Sequence, residues 1–246
     1  MKPVYAKELA EQYEQRVQEA RQKFNDSLAI QALTSSAGSD PHLIMFLINF
    51  CSNGIGMTKP VQSWVSRVGD RCIELGLQEE GQQFKMHAIE KSYRHVALQA
   101  DLKMLVAYWN AGGYQPHLSV EKLLARPLSP GVIAYQKMHE DIIASSNPFS
   151  QFVVEYEVDR LSIEYGAWMM RRCMERFGKV FLSRISYFQS NVSIQIGKLQ
   201  FNWLGLGRVL AAHPDYMDAF VDIGKRTLAV YQCFLADCVV KDVSAA

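Results

Sequence analysis

Apolar residues recur along most of this chain at the three- and four-residue spacing of amphipathic α-helices. Residues 6–24 are rich in charge and free of Gly and Pro, with Leu9, Tyr13 and Val17 on one face, which predicts an N-terminal amphipathic helix. No β-branched run alternates with period two between turn residues, so strands are not expected. The pattern therefore predicts an all-α protein.

Turn residues and prolines divide the remaining pattern into further helices. The predicted helices cover residues 6–24, 28–33, 42–51, 61–75, 78–109, 131–143, 149–177, 179–212 and 216–240. Asp40 is placed to cap the third helix, residues 52–60 are predicted to form a loop, and His213-Pro214 separates the last two helices. We expect a single-domain irregular bundle of about seven to nine helices over residues 1–246, with residues 1–24 forming the N-terminal helix.

Composition narrows the range of partners. The 246 residues are 49% hydrophobic, enough for one large core, and the formal net charge of +1 favours neither a nucleic acid nor a membrane. No signal sequence and no run of ~18 uncharged apolar residues is present, so a cytoplasmic location is expected. The five cysteines are odd in number and contain no CxxC pair, which indicates reduced thiols.

A first polar cluster falls on the predicted helix over residues 78–109, in the segment HAIEKSYRH. His87 and Glu90 are three residues apart and share a face, whereas Glu90 and His95 are five apart and diverge by about 140°. An inward orientation requires partners, because a buried polar group without them costs ~1–3 kcal/mol. The alternative is a solvated helix face that also carries Lys91 and Arg94.

A second cluster alternates with apolar residues in FVVEYEVDRLSIEYG. Glu157 and Glu164 are seven apart and share one face, while Glu155 and Asp159 form the neighbouring face. We expect one inward carboxylate here. Surface ion pairs around Arg160 are the alternative.

A third cluster is a polar seam on an otherwise apolar segment. Asn191, Gln195, Lys198 and Asn202 recur at spacings of four, three and four residues. A helix that is apolar elsewhere is buried on most sides, so the seam is predicted to face something polar inside the bundle.

The order of these clusters resembles the heme-oxygenase-like superfamily. The resemblance rests on the segment from Glu90 to His95, on Tyr156-Glu157 in a long helix that ends at Arg176-Phe177-Gly178, and on the seam at 191–198. Members of this superfamily include diiron oxidases, the thiaminase TenA, pyrroloquinoline quinone synthases and the para-aminobenzoate-forming CADD proteins. The likeness is strongest to the CADD-like group and covers the chain from about residue 40 onward.

The resemblance implies an incomplete set of metal ligands. Matched by position, the ligands are Glu90, His95 and Glu157. Glu80 and His87 are the alternates, because their spacing of seven residues keeps them on one helix face. The family's His-x3-Asp-x2-His motif falls on Asn191, Gln195 and Lys198, where an amide binds hard cations weakly and an ammonium has no lone pair. A degenerate diiron site is therefore expected, holding one iron or manganese ion at most or no cofactor. Heme is not expected, because the first histidine of the chain is His42.

The resemblance also implies roles for residues beside the ligands. Lys198 would be catalytic, as a counter-ion to the glutamates or a binding group for a substrate anion. Tyr156 is the second catalytic candidate, because CADD-like relatives consume their own tyrosine. The substrate-binding candidates are Tyr93, Asn191, Gln195 and Asn202.

Three functions remain open at this point. The first is an oxidoreductase of the heme-oxygenase-like superfamily that acts on a small organic substrate. The second is a metal-free member that binds a small molecule or cofactor, with the polar seam as the floor of its pocket. The third is a non-catalytic protein that acts through its surface as a homodimer.

Overall fold

The computed structural model describes residues 3–34, 39–187, 189 and 203–239, and all regular structure in these residues is helical. This confirms the all-α prediction. The helices are α1 Pro3–Asn25, α2 Leu28–Thr34, α3 Asp40–Thr58, α4 Val61–Glu74, α5 Gln78–Glu90, α6 Arg94–Ala111, α7 Val120–Leu124, α8 Pro130–Ala144, α9 Gln151–Leu182, α10 over residues 203–212, and α11 Met217–Cys238. Short 3-10 turns cover Pro148–Ser150 and Pro214–Tyr216.

The bundle is organised around the apolar helix α3, whose buried residues lie on most of its faces. This helix contacts α6, α8 and α11, and α11 in turn packs against α1, α8 and α9. Helices α4 and α5 form an adjacent antiparallel pair against this core. No helix in the described part of the chain is long and apolar enough to cross a membrane.

Helix α3 extends further than the sequence predicted. Residues 52–58 are helical rather than a loop, and two glycines in this part of the helix allow neighbouring helices to approach closely. A Cβ at Gly54 would lie 3.2 Å from Leu98 Cδ1, and one at Gly56 would lie 3.0 Å from Val132 Cγ1. Asp40 begins this helix without a capping hydrogen bond and instead pairs with Arg176, at 2.6 Å.

The predicted helix over residues 78–109 is broken in two. A turn at Lys91–Tyr93 separates α5 from α6, and the hydroxyl of Ser92 donates to the carbonyl of Ile89 at 2.8 Å. The turn places Lys91 in the interior, where its side chain is 8% exposed. Glu90 and His95 therefore belong to different helices, contrary to the prediction of a shared helix.

Helix α9 confirms one predicted boundary and corrects the next. Gly178 has φ 79° and ψ 176°, the region that favours glycine, and this interrupts the helix where the sequence predicted an end. The helix resumes to Leu182 and then stops at a turn, so residues 179–212 are not one continuous helix. Asp101 caps the backbone that follows, accepting from Ser186 N and Tyr187 N at 2.8 Å each.

Candidate functional site

A cavity of about 60 Å³ lies in the middle of the bundle, among α3, α8, α9, α11 and the turn between α5 and α6. At roughly 15 Å³ for each water-sized site, it has room for a few small groups. Aromatic side chains form part of its wall, and the charged or strongly polar lining residues are Lys91, Arg94, His139, Gln151, Glu155 and Asp159. This cavity brings charges of both signs together with a buried histidine.

Glu155 carries the negative charge closest to the turn between α5 and α6. Its Oε2 lies 3.4 Å from Lys91 Nζ and 3.2 Å from His87 Nδ1, and its side chain is only 7% exposed. Burial alone raises the pKa of Glu155, but the two cationic partners outweigh burial and lower it to about 2. The hydrogen bond to Glu155 in turn raises the pKa of His87. Glu155 Oε1 is buried and has no hydrogen-bond partner.

His139 of α8 is held rigidly beside the cavity. Its ring stacks on Trp64 at 4.4 Å with an interplanar angle of 9°, and its edge contact with Tyr135 is 4.6 Å between ring centroids. Burial lowers the pKa of His139 to about 4, so the ring is neutral near pH 7. Nδ1 donates to Gln151 Oε1 at 3.0 Å, which leaves a lone pair on Nε2, and Nε2 has no partner.

Arg94 supplies a positive charge from the first residue of α6. Its side chain is half-buried, and it makes no hydrogen bond or ion pair with any residue that the structure describes. An arginine guanidinium presents a planar set of donors that matches a carboxylate or a phosphate. An incoming anion can therefore bind Arg94 on the cavity wall without displacing any partner that the structure describes.

Tyrosine hydroxyls complete the wall, from Tyr135, Tyr187 and Tyr231. Burial raises the pKa of Tyr135 and Tyr231 and keeps both phenols protonated. Asp101 fixes the backbone of Tyr187 through the capping bonds described above. The lining therefore combines hydrogen-bond donors with acceptors and charges of both signs.

Glu157 and Tyr156 do not belong to this cavity. Glu157 is fully buried and accepts from Tyr13 Oη at 2.8 Å and from Arg21 Nη2 at 2.6 Å. Tyr156 Oη donates to Glu14 Oε1 at 2.5 Å, and Arg21 also pairs with Glu14. These partners come from α1, and Arg160 of α9 also lies 3.6 Å from Glu157, so the predicted metal ligand Glu157 is the counter-ion of two arginines.

The remaining predicted metal ligands are also dispersed. Glu90 is exposed at the end of α5, and His95 is half-buried on α6 with Nδ1 unpartnered. Of the alternates, Glu80 pairs with His213 at 3.1 Å, and His87 pairs with Glu155. Over the described residues, no three His, Cys, Asp or Glu side chains are grouped as a metal site requires. Because the turn at Lys91 divides the helix and α1 captures Glu157, the predicted ligand set does not converge.

The predicted substrate-binding residues divide into two groups. Tyr93 is 78% exposed on the turn between α5 and α6 and points away from the core. The catalytic candidate Lys198 and the seam residues Asn191, Gln195 and Asn202 lie outside the described residues.

Several residues of the cavity were missed from the sequence or given another role. In the sequence, Lys91 and Arg94 belong to the alternative of a solvated helix face. The break between α5 and α6 places both beside the cavity instead. His139 and Gln151 were not singled out, although His139 follows Tyr135 by four residues within an apolar helix face. A polar residue at a core position of α8 was the available signal.

Comparisons with known proteins add no family to this description. No family model, no curated protein and no solved structure matches the chain.

Proposed function

We propose that this protein binds a small organic anion in the central cavity, as a metal-free small-molecule-binding member of the heme-oxygenase-like type of bundle. The observation that supports it best is Arg94, a guanidinium on the cavity wall with no counter-ion among the described residues. Natural proteins rarely leave a half-buried charge beside a cavity without a partner, because desolvation is costly. A ligand carboxylate would supply that partner.

The size and walls of the cavity define the rest of the ligand. A volume of about 60 Å³ suits a compact molecule, and Phe50, Tyr135 and Phe234 provide apolar or aromatic surface around it. Charge-assisted hydrogen bonds to an arginine contribute roughly 1.5–3 kcal/mol, enough to orient such a ligand. The other polar side chains of the lining would then contact the rest of the ligand.

The resemblance to the heme-oxygenase-like superfamily supports a bundle that hosts small molecules with or without a metal. The metal-free form agrees better with the dispersed positions of Glu90, His95 and Glu157. Where the ligand is also converted, the cavity's own groups would hold and orient it, with His139 as a fixed neutral acceptor.

Ligand titration tests the proposal directly. We expect purified protein to bind members of a panel of short carboxylates in calorimetry and thermal-shift assays, but not the matching neutral amides. Arg94→Met should weaken the binding by about tenfold or more, which is the loss of one charge-assisted contact. Arg171→Met, which removes an exposed arginine of α9, is the matched control and should leave affinity unchanged.

Two outcomes would overturn the proposal. One is that Arg94→Met and the unaltered protein bind the panel equally. The other is that binding requires added ferrous or manganous ion, which would favour the single-metal oxidase instead.

A further inference from the structure

Two buried hydrogen-bond acceptors on the cavity wall lack donors. They are Nε2 of His139 and Oε1 of Glu155, on side chains that are 1% and 7% exposed. A buried acceptor without a donor is unfavourable, and both atoms belong to residues that line the same cavity. Unsatisfied acceptors beside a cavity indicate that a bound ligand supplies the missing hydrogen-bond donors.

Both atoms require a donor and cannot act as donors themselves. The Nδ1–H of His139 is committed to Gln151 Oε1 at 3.0 Å, so Nε2 carries the lone pair. Glu155 is a carboxylate whose other oxygen is already occupied by Lys91 and His87. The terminal torsion of a glutamate is soft, so Oε1 can turn toward a group in the cavity at low cost.

The two acceptors belong to two helices that line the cavity, His139 to α8 and Glu155 to α9. Gln151, the partner of His139, and Glu155 are one helical turn apart on α9, and Asp159 follows after another turn. The α9 wall therefore carries the carboxylates of Glu155 and Asp159, and the neutral imidazole of His139 comes from α8. Arg94 approaches from the start of α6 and gives the cavity a cationic end.

We infer that the ligand carries an ammonium group as well as an acidic group, which makes small amino-acid-like zwitterions its chemical class. This inference rests on the proposed function, because Arg94 binds the acidic group in both. The ammonium donates to His139 Nε2 and Glu155 Oε1, and its charge is attracted to the carboxylates of the α9 wall. His139 and Glu155 are then the residues that determine specificity.

Selectivity follows from the unsatisfied acceptors. A ligand without the amine leaves both acceptors unpaired, so the site should discriminate against it more strongly than against a change of one methylene. We expect an amino acid to bind about tenfold or more tightly than the carboxylic acid that lacks its amine.

A matched ligand series tests this with the unaltered protein. The series pairs glycine with acetate, β-alanine with propionate and γ-aminobutyrate with butyrate, and it adds ethylamine and propylamine as amines without an acid. Calorimetry at constant ionic strength measures each affinity. The expected order is amino acid first, with the acid and the amine each much weaker.

A variant then assigns the effect to a residue. His139→Phe keeps a ring stacked on Trp64 but removes Nε2, so it should reduce the preference for the amino acid over the acid by several-fold. If this variant folds poorly, the ligand series on the unaltered protein still tests the inference, because it requires no substitution.

The possible results separate this inference from the proposed function. Equal binding of acids and amino acids, with loss in Arg94→Met, overturns the inference and leaves the proposed function intact. Equal binding of amines and amino acids overturns the zwitterion assignment, because Arg94 then has no role. No binding by any acid or amino acid overturns both.

Discussion

Two polar clusters on α9 lie two residues apart and differ in how completely their groups are satisfied. Glu157 faces α1, where Tyr13 and Arg21 occupy its oxygens at 2.6–3.2 Å. Glu155 faces the cavity, where one oxygen is paired and the other is not. Both carboxylates are buried, so burial alone does not identify a site. The open hydrogen-bonding capacity beside a cavity distinguishes the cluster that can bind a ligand.

The α1 cluster is a structural clamp. Arg21 joins Glu14 of its own helix to Glu157 of α9, and Tyr156 closes the network through Glu14. A hydrogen-bonded network of this kind fixes how α1 docks on the bundle. Both oxygens of Glu157 are occupied in this network, whereas one oxygen of Glu155 on the cavity wall has no hydrogen-bond partner.

The largest expected effect comes from removing the charge of Glu157. Glu157→Gln leaves the buried Arg21 with only Glu14, and breaking a buried ion pair on one side costs about 3–5 kcal/mol. Urea unfolding measures this loss in the free energy of unfolding. Ligand affinity of the folded variant should not change, because Glu157 lies outside the cavity.

Glu164→Gln is the matched control on the same helix. Glu164 pairs with Arg160 at 3.4 Å with its side chain 44% exposed, so its removal should cost below about 1 kcal/mol. Similar losses in the two variants would contradict the structural role assigned to the α1 cluster.

The next largest expected effect is a loss of folding stability at acid pH, because His139 on the cavity wall becomes protonated. Folding lowers the pKa of His139 from 6.5 to about 4, so the folded protein favours the neutral ring. The stability linked to this shift is present above pH 6.5 and is lost as the pH falls toward 4, by about 3 kcal/mol. The stability linked to Glu155 is lost in a lower pH range. Because folding lowers the pKa of Glu155 from 4.5 to about 2, this stability is present above pH 4.5 and is lost as the pH falls from 4.5 toward 2.

His139→Phe isolates this contribution. Urea unfolding of both proteins between about pH 7 and pH 4 gives a difference curve in which the carboxylates cancel. We expect the unaltered protein to lose about 3 kcal/mol more than the variant over this range. Parallel curves would show that His139 titrates normally and is not held neutral.

The sequence predicted the fold better than it predicted the site, and particular residues show why. Helix α1 and the interruption at Gly178 were predictable, because helical periodicity and the position of a glycine are local signals. The turn at Lys91 was not, because the buried partner Glu155 that stabilises it lies 64 residues away along the chain. Tertiary ion pairing there overrides the local helix propensity.

The candidate site depends on distant contacts of the same kind. The carboxylates of the second cluster were identified, but periodicity gave no way to know that Glu157 faces Arg21 while Glu155 faces a cavity. Glu157 and Glu155 are both buried because α9 is covered on two sides, by α1 and by the core. A helix buried on two sides has no single inward face for a pattern to reveal.

The smallest expected effect compares one hydroxyl from each cluster. Tyr13→Phe removes the donor at 2.8 Å from the buried Glu157, and a hydrogen bond to a charged group contributes about 1.5–3 kcal/mol. Tyr135→Phe removes a cavity hydroxyl that bonds to none of the described residues, so its cost should stay within about 0.5 kcal/mol. Thermal or urea unfolding of the two variants measures both values. An equal loss would mean that the cavity hydroxyl is as firmly bonded as the clamp, and the cavity wall would then be structural as well.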